Sequence, residues 1–324
     1  MSQSGCDPFR PYSTIDPALN LRHLIQATNG ATSQYDSLQA SFNQRGWHGF
    51  DIDYNLTWSK CYDDSSSNRG GAGDYPQINN ANPVGSAALG AANFGDSRGL
   101  CDHDVRLNFN VGGVYFAPRI PFLGKRLGDG WQLSTIFTAI SGRPFSPLVA
   151  GSSDPSGQGM DGLSVRAAWD GTPIKYNTRN PDQYVMELYS DGVTADPCGR
   201  NTQGTPISPF YTPCEGNVGN SRRNQLIGPG LAQWDVSLIK ETKITERLNV
   251  QVRWEVFNVL NRGNFYYLPN NTLNSCGSVT GGVCTAANAG NFGTITQTSD
   301  TAAGNPVIAQ GGPRNMNFSL KFTF

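Results

Sequence analysis

The last ten residues, 315–324, alternate without a break between apolar and polar side chains. Met316, Phe318, Leu320, Phe322 and Phe324 fall on one side of an extended chain, and Asn315, Asn317, Ser319, Lys321 and Thr323 on the other. Successive side chains of a strand point to opposite faces, so this segment reads as a strand with one greasy face and one wet face. About ten residues is also the length of a tilted strand that crosses a bilayer. The edge strand of a soluble sheet gives the same pattern, so the rest of the chain has to decide.

The same period of two recurs upstream. Gly49 to Lys60 sets Phe50, Ile52, Tyr54, Leu56 and Trp58 against Asp51, Asp53, Asn55, Thr57 and Ser59. Asp104 to Phe116 sets Val105, Leu107, Phe109 and Val111 against Asp104, Arg106, Asn108 and Asn110. Trp131 to Ile140 alternates less cleanly, because Ile136 and Ile140 sit on its polar side. Trp234, Val236 and Leu238 mark another strand, and Leu248, Val250, Val252, Trp254 and Val256 the next, against Asn249, Gln251, Arg253 and Glu255. Tyr35 to Arg45 precedes them all, with Leu38, Ala40 and Phe42 on one face. No segment shows the 3.6-residue period of a helix of three turns. The chain is expected to be all-β, with about seven long strands.

The connections separate the two readings. Tight links are expected at Arg45-Gly46-Trp47, from Pro118 to Gly130, and at Ile244-Thr245-Glu246-Arg247. Long links run over 61–101, 141–233 and 261–314, so short and long alternate strictly, while residues 1–33 would be the remnant of a further loop. Outer-membrane barrels follow this rule, with short turns on the periplasmic side and long loops outside. With the C-terminus periplasmic, Tyr35, Trp58, Trp234, Tyr266 and Tyr267 would line the outer rim. Trp47, Tyr115, Phe116, Trp131 and Phe324 would line the inner one. Two aromatic belts are what the headgroup regions select. The expected fold is a partial transmembrane antiparallel β-barrel, with residues 34–324 as barrel strands and loops. Asp51, Asp53, Asp104, Arg106, Arg253 and Glu255 would then face the lumen.

Composition is consistent with this. Charges balance at a net −1, so a nucleic-acid partner is not expected. Spanning strands show only their lipid face as apolar, which is why no run of roughly 18 apolar residues is needed. The start, Met1-Ser2-Gln3-Ser4-Gly5-Cys6, has neither a basic nor an apolar signal region, so an exported protein would need its true start upstream. The seven cysteines all lie in stretches rich in Gly, Ser, Asn or Pro and form no CxxC pair. Buried free thiols are one reading. Cys61 with Cys101, Cys198 with Cys214, and Cys276 with Cys284 place one pair in each long link, which points to disulfides in an oxidising compartment, with Cys6 left over.

Several short stretches add a family likeness. They are Tyr35-Asp36-Ser37-Leu38-Gln39, Leu56-Thr57-Trp58-Ser59-Lys60, and Gly130-Trp131-Gln132-Leu133-Ser134 leading to Ser141-Gly142-Arg143-Pro144-Phe145. Gly228-Pro229-Gly230, Asp235-Val236-Ser237-Leu238, Phe257-Asn258-Val259-Leu260-Asn261, Asn264-Phe265 and the Phe-rich terminal strand follow in order. Together they resemble the C-terminal barrel region of TonB-dependent outer-membrane receptors, closest to the Oar-like group with a carboxypeptidase-regulatory-like domain. The resemblance implies energised uptake of a bulky solute through a plugged barrel of about twenty-two strands. It implies that Phe318, Leu320, Phe322 and Phe324 are read by the barrel-assembly machinery, and that lumen residues contact a plug or a passing solute. TonB would be reached only through an N-terminal region, with plug and TonB box, that this chain does not show. The chain is therefore expected to be the C-terminal part of a larger receptor, with outer-membrane lipid around it.

Catalysis finds little support. The chain has no HExxH or GxxxxGK motif, and His23, His48 and His103 have no metal-ligand spacing to the cysteines. Gly70-Gly71-Ala72-Gly73 precedes no helix, and Asp154 and Asp161 lack the ladder of a calcium loop. No enzyme activity, cofactor or metal is expected. A surface adhesion or structural role is the alternative to transport.

Overall fold

The computed structural model describes residues 31–64, 66, 98–149, 165–169, 171–185, 209–211, 219–265, 269–273, 279–280, 283–284, 292–302 and 311–324. Seven long strands carry the architecture: β1 Ser33–Trp47, β2 Phe50–Asp63, β3 Leu107–Phe116, β4 Trp131–Ile140, β5 Leu231–Lys243, β6 Asn249–Phe257 and β7 Asn315–Thr323. They pair antiparallel in chain order, so each strand neighbours the next, and the two-residue piece Gly99–Leu100 extends the sheet beside the end of β2. The outer edges of β1 and β7 pair with no other described strand, and the sheet is not closed.

Register turns the alternation of single strands into two continuous faces. Phe42, Tyr54, Val111, Phe137 and Trp234 stand in one row across five strands. Leu238, Trp254 and Phe318 continue the same face, as do Val252 and Leu320. On the opposite face Asp51, Val114, Ser134, Ser237, Glu255 and Asn317 form a row, and Asp53 and Arg253 lie on the same side. Ile136, out of pattern in the sequence, sits between Gly112 and Asp235 on the polar face and is exposed. A soluble sheet would bury its apolar face under a second layer. Here Leu38, Trp58, Leu133, Trp254, Phe318 and Leu320 are all exposed to the surroundings of the chain. A contiguous apolar surface of that extent fits a lipid contact, not water.

The first two strands run two to three residues beyond expectation, to Ser33 and Asp63, and three further differences matter more. The first hairpin turns at His48–Gly49, beyond Arg45-Gly46-Trp47, because Trp47 pairs with Phe50. Both turn residues have positive φ (49° and 85°), which matches the twist of a two-residue hairpin. Gly49 is also required by space, since a Cβ there would lie 2.6 Å from the Phe116 carbonyl oxygen. Arg45 and Gly46 form a bulge opposite Asp51, whose Oδ1 accepts the Gly46 N–H at 2.6 Å. Second, β3 begins at Leu107, so Asp104 and Arg106 precede the strand and do not line its polar face. Third, β5 is longer than the Trp234–Leu238 core and runs over 13 residues.

The buried apolar residues lie almost entirely outside the sheet. Phe145, Ala167, Tyr184, Val185, Phe210, Leu226 and Ile295 form one cluster, with Trp169, Ile174, Tyr176, Phe265 and Phe292 packed on it. These residues come from the long links 141–233 and 261–314, which the sequence presents as Gly- and Asn-rich connections. The described parts of these links form a folded layer at one end of the sheet.

Candidate functional site

The loop layer meets the sheet at the far ends of β2 and β5, and both junctions are built from buried polar groups. At β2, Cys61 and Cys101 form a disulfide, with Cα atoms 5.4 Å apart and a sequence separation of 40. Closing a loop of that length by a covalent bond contributes about 4 kcal/mol in the chain-entropy account. The bridge is reinforced by the backbone, as Cys101 N–H donates to the Cys61 carbonyl at 3.1 Å. Asp104, displaced from the strand, accepts the Cys61 N–H at 2.7 Å and is buried. Arg106 reaches Asp104 at 3.5 Å. His103 Nε2 lies 3.8 Å from Cys61 Sγ, a grouping that offers three metal-ligand types. With the two sulfurs bonded to each other, neither is the thiolate that a metal requires.

Arg223 is the centre of the junction and had no signal in the sequence beyond an arginine pair in a charge-poor link. Its side chain is fully buried and ion-paired with Asp63, while Nη2 donates to the Asp63 carbonyl at 2.6 Å. Nη1 donates to Ser66 Oγ at 3.0 Å and approaches Asp102 at 3.6 Å. Burial pushes the guanidinium down to about 10, which leaves it charged at neutral pH. Asn224, at φ 54°, donates to the Leu100 carbonyl and Asp102 Oδ1, both at 2.6 Å. The segment around Arg223 thus pins the 141–233 link to the base of the 61–101 link. Close by, Asp64 accepts from Thr32 N–H at 2.8 Å, Thr32 Oγ1 at 2.7 Å and Arg98 at 3.3 Å. Burial opposes its ionisation, but these donors prevail and hold the carboxyl below its ordinary range.

The second junction starts from the polar face of β5. Gln233 donates to Asp235 at 2.9 Å and accepts the Gly311 N–H at 2.6 Å. Asp235 also accepts the Asn258 N–H at 2.8 Å. Buried Asn258 then donates to the Arg262 and Gly312 carbonyls, and buried Asn264 accepts from Ala232 N–H at 3.0 Å. These asparagines are the ones in Phe257-Asn258-Val259-Leu260-Asn261 and Asn264-Phe265, so the sequence exposes the motif but not its role. Inside the layer, Tyr184 OH donates to the Ile227 carbonyl and Tyr176 OH accepts the Ile227 N–H. Burial pushes both phenols up.

Below this layer the polar face presents Asp51, Asp53, Arg253 and Glu255. Arg45 pairs with Asp53 at 2.8 Å and Arg253 lies 3.6 Å from Glu255. Phe318, Leu320 and Phe322 lie on the apolar face of β7 opposite Trp254, Val252 and Val250, and Phe324 follows the strand almost fully exposed. Residues 1–30, with Cys6 and His23, and Gly70–Gly73, Asp154, Asp161, Cys198, Cys214, Tyr266, Tyr267 and Cys276 lie outside the described residues. The pairings expected for Cys198 with Cys214 and for Cys276 with Cys284 are therefore not placed.

A meander of bilayer-length strands with one apolar face, one polar face and a folded loop layer at one end defines a β-barrel membrane protein. The chain belongs to the outer membrane beta barrel domain family, whose model matches residues 3–316. No curated protein matches it, and no solved structure does. No helix among the described residues is long and apolar enough to cross a membrane.

Proposed function

We propose that this chain is the C-terminal barrel segment of a TonB-dependent outer-membrane receptor for energised uptake of a bulky solute. The observation that carries the reading is the folded loop layer held over the end of a polar wall. A capture surface has to keep its shape while the lumen beneath stays wet. The loops would be extracellular and the C-terminus periplasmic, as β1 and β2, with 15 and 14 residues, outrun a bilayer at their loop ends. Asp51, Asp53, Arg253 and Glu255 would then line the lumen. The ordered likeness to receptors of the Oar-like group supports transport, and we assign no catalytic step to the chain.

The test is energy-dependent uptake by cells carrying the complete gene, with and without a functional TonB system. Uptake that stops when TonB is removed supports the reading. A gene without plug and TonB box, whose product binds surfaces or other cells, supports the adhesion alternative. The folded loop layer, pinned to the disulfide-closed 61–101 link, would serve that role equally well. Deleting the loop layer separates the two, because adhesion would be lost while basal pore conductance would persist.

A further inference from the structure

The link between β3 and β4 departs from the other two at its end of the sheet. Residues 117–130 form a 3-10 turn at Pro121–Leu123 and a single-turn helix at Gly124–Gly128, closed by Ile120 N–H to the Gly128 carbonyl at 2.8 Å. Three apolar side chains protrude from it: Phe122 is 86% exposed, Leu127 63% and Leu123 39%. Arg119, Lys125 and Arg126 accompany them, against Asp129 as the single acid.

The position of this turn identifies what it meets. Trp131 Nε1 donates to the Leu127 carbonyl at 2.7 Å, and Thr242 Oγ1 lies 3.4 Å from the Arg126 carbonyl. Trp131 and Thr242 both belong to the apolar face, since Trp131 pairs with Lys240 and Thr242 with Val250. The turn is therefore folded back against the lipid-facing wall and does not extend across the lumen mouth. Lys240, on the same face, donates to Thr242 Oγ1 at 2.7 Å and lies 5.8 Å from the Trp131 ring centre. Its ammonium has turned toward the polar end of the strand, as a lysine does at the edge of hydrocarbon.

We propose that the β3–β4 turn is a membrane-surface anchor that holds an anionic phospholipid headgroup. Phe122, Leu123 and Leu127 continue the lipid-contacting face to its margin and insert at the boundary between headgroups and acyl chains. Lys125 and Arg126 take the phosphate. A soluble protein partner would have to displace lipid from a patch that is continuous with the lipid-facing wall. The proposal rests on the orientation given above, which turns this end toward the phospholipid leaflet, but not on transport.

The probe is native mass spectrometry of the complete gene product extracted from the outer membrane, titrated with phosphatidylglycerol or with phosphatidylcholine of the same acyl chains. Retention of phosphatidylglycerol over phosphatidylcholine is expected. K125Q/R126Q should weaken phosphatidylglycerol retention about 25-fold, roughly fivefold for each charge removed. K243Q/R247Q removes the same charge from the β5–β6 end and should leave retention unchanged, while Phe122→Ser should lower retention of both lipids. Equal retention of the two lipids, or equal losses in the two double variants, would overturn the anchor. A preference for lipid A over phosphatidylglycerol would overturn both the anchor and the orientation, while TonB-dependent uptake would still be judged on its own assay.

Discussion

Leu320 and Ser319 are adjacent in the chain and face opposite solvents. Leu320 lies opposite Val252 on the apolar face, and Ser319 opposite Arg253 on the polar one. Arginine on a lipid-facing position costs about 2–4 kcal/mol at mid-membrane, whereas a wet lumen tolerates it. Leu320→Arg should therefore sharply reduce the heat-modifiable folded form on gels, and Ser319→Arg should leave it nearly unchanged. Equal losses would contradict the assigned faces. Arg223 makes a different demand, as its charge is buried and balanced by Asp63. Arg223→Met keeps much of the volume but leaves Asp63 buried without its cation, which costs about 3–5 kcal/mol. Amide exchange at Gly99 to Asp102 should accelerate, while the β3–β6 amides keep their protection. Unchanged exchange at the β2 junction would remove Arg223 from its central place.

At the scale of elements, each inner strand is held by two neighbours, the edge strands β1 and β7 by one, and the long links by their junctions. The Cys61–Cys101 bridge closes the 61–101 link just above the point where β2 stops pairing with β3 at Trp58–Leu107. Reducing it should loosen the loop base by up to about 4 kcal/mol without unzipping the β2–β3 ladder. Limited proteolysis should then cut within 61–101 and spare the sheet. Cleavage inside β3 after reduction would show that the bridge holds the barrel wall as well. The His48–Gly49 turn illustrates what alternation alone leaves undecided. Period two locates two strands, but the bulge at Arg45–Gly46 shifts the register and moves the turn two residues on.

For the whole molecule, the open edges dominate. Among the described residues β1 pairs only with β2, and β7 only with β6, so two rows of backbone groups have no described strand beside them. Unsatisfied backbone groups in hydrocarbon cost several kcal/mol each, so each of these edges needs a strand partner within the membrane. These 324 residues, expressed alone with a signal peptide, should self-associate through the edges or be degraded, and should show no energy-dependent uptake. Conductance in planar bilayers and the oligomeric state in detergent provide the check. A stable monomer with a discrete pore would mean that β1 and β7 close on each other.

The sequence by itself determined the seven strands, their two faces and the alternation of short and long links, because period two is written residue by residue and needs no distant partner. It also located the Cys61–Cys101 bridge, since each cysteine flanks a strand that neighbours the other. The loop layer was not legible. Its apolar residues, from Phe145 to Ile295, follow no period, and their common core exists only once separate links are brought together. Likewise, nothing near Arg223 names Asp63, which lies 160 residues earlier in the chain. That choice belongs to tertiary structure, because a buried charge takes whichever partner the packed backbone delivers within reach.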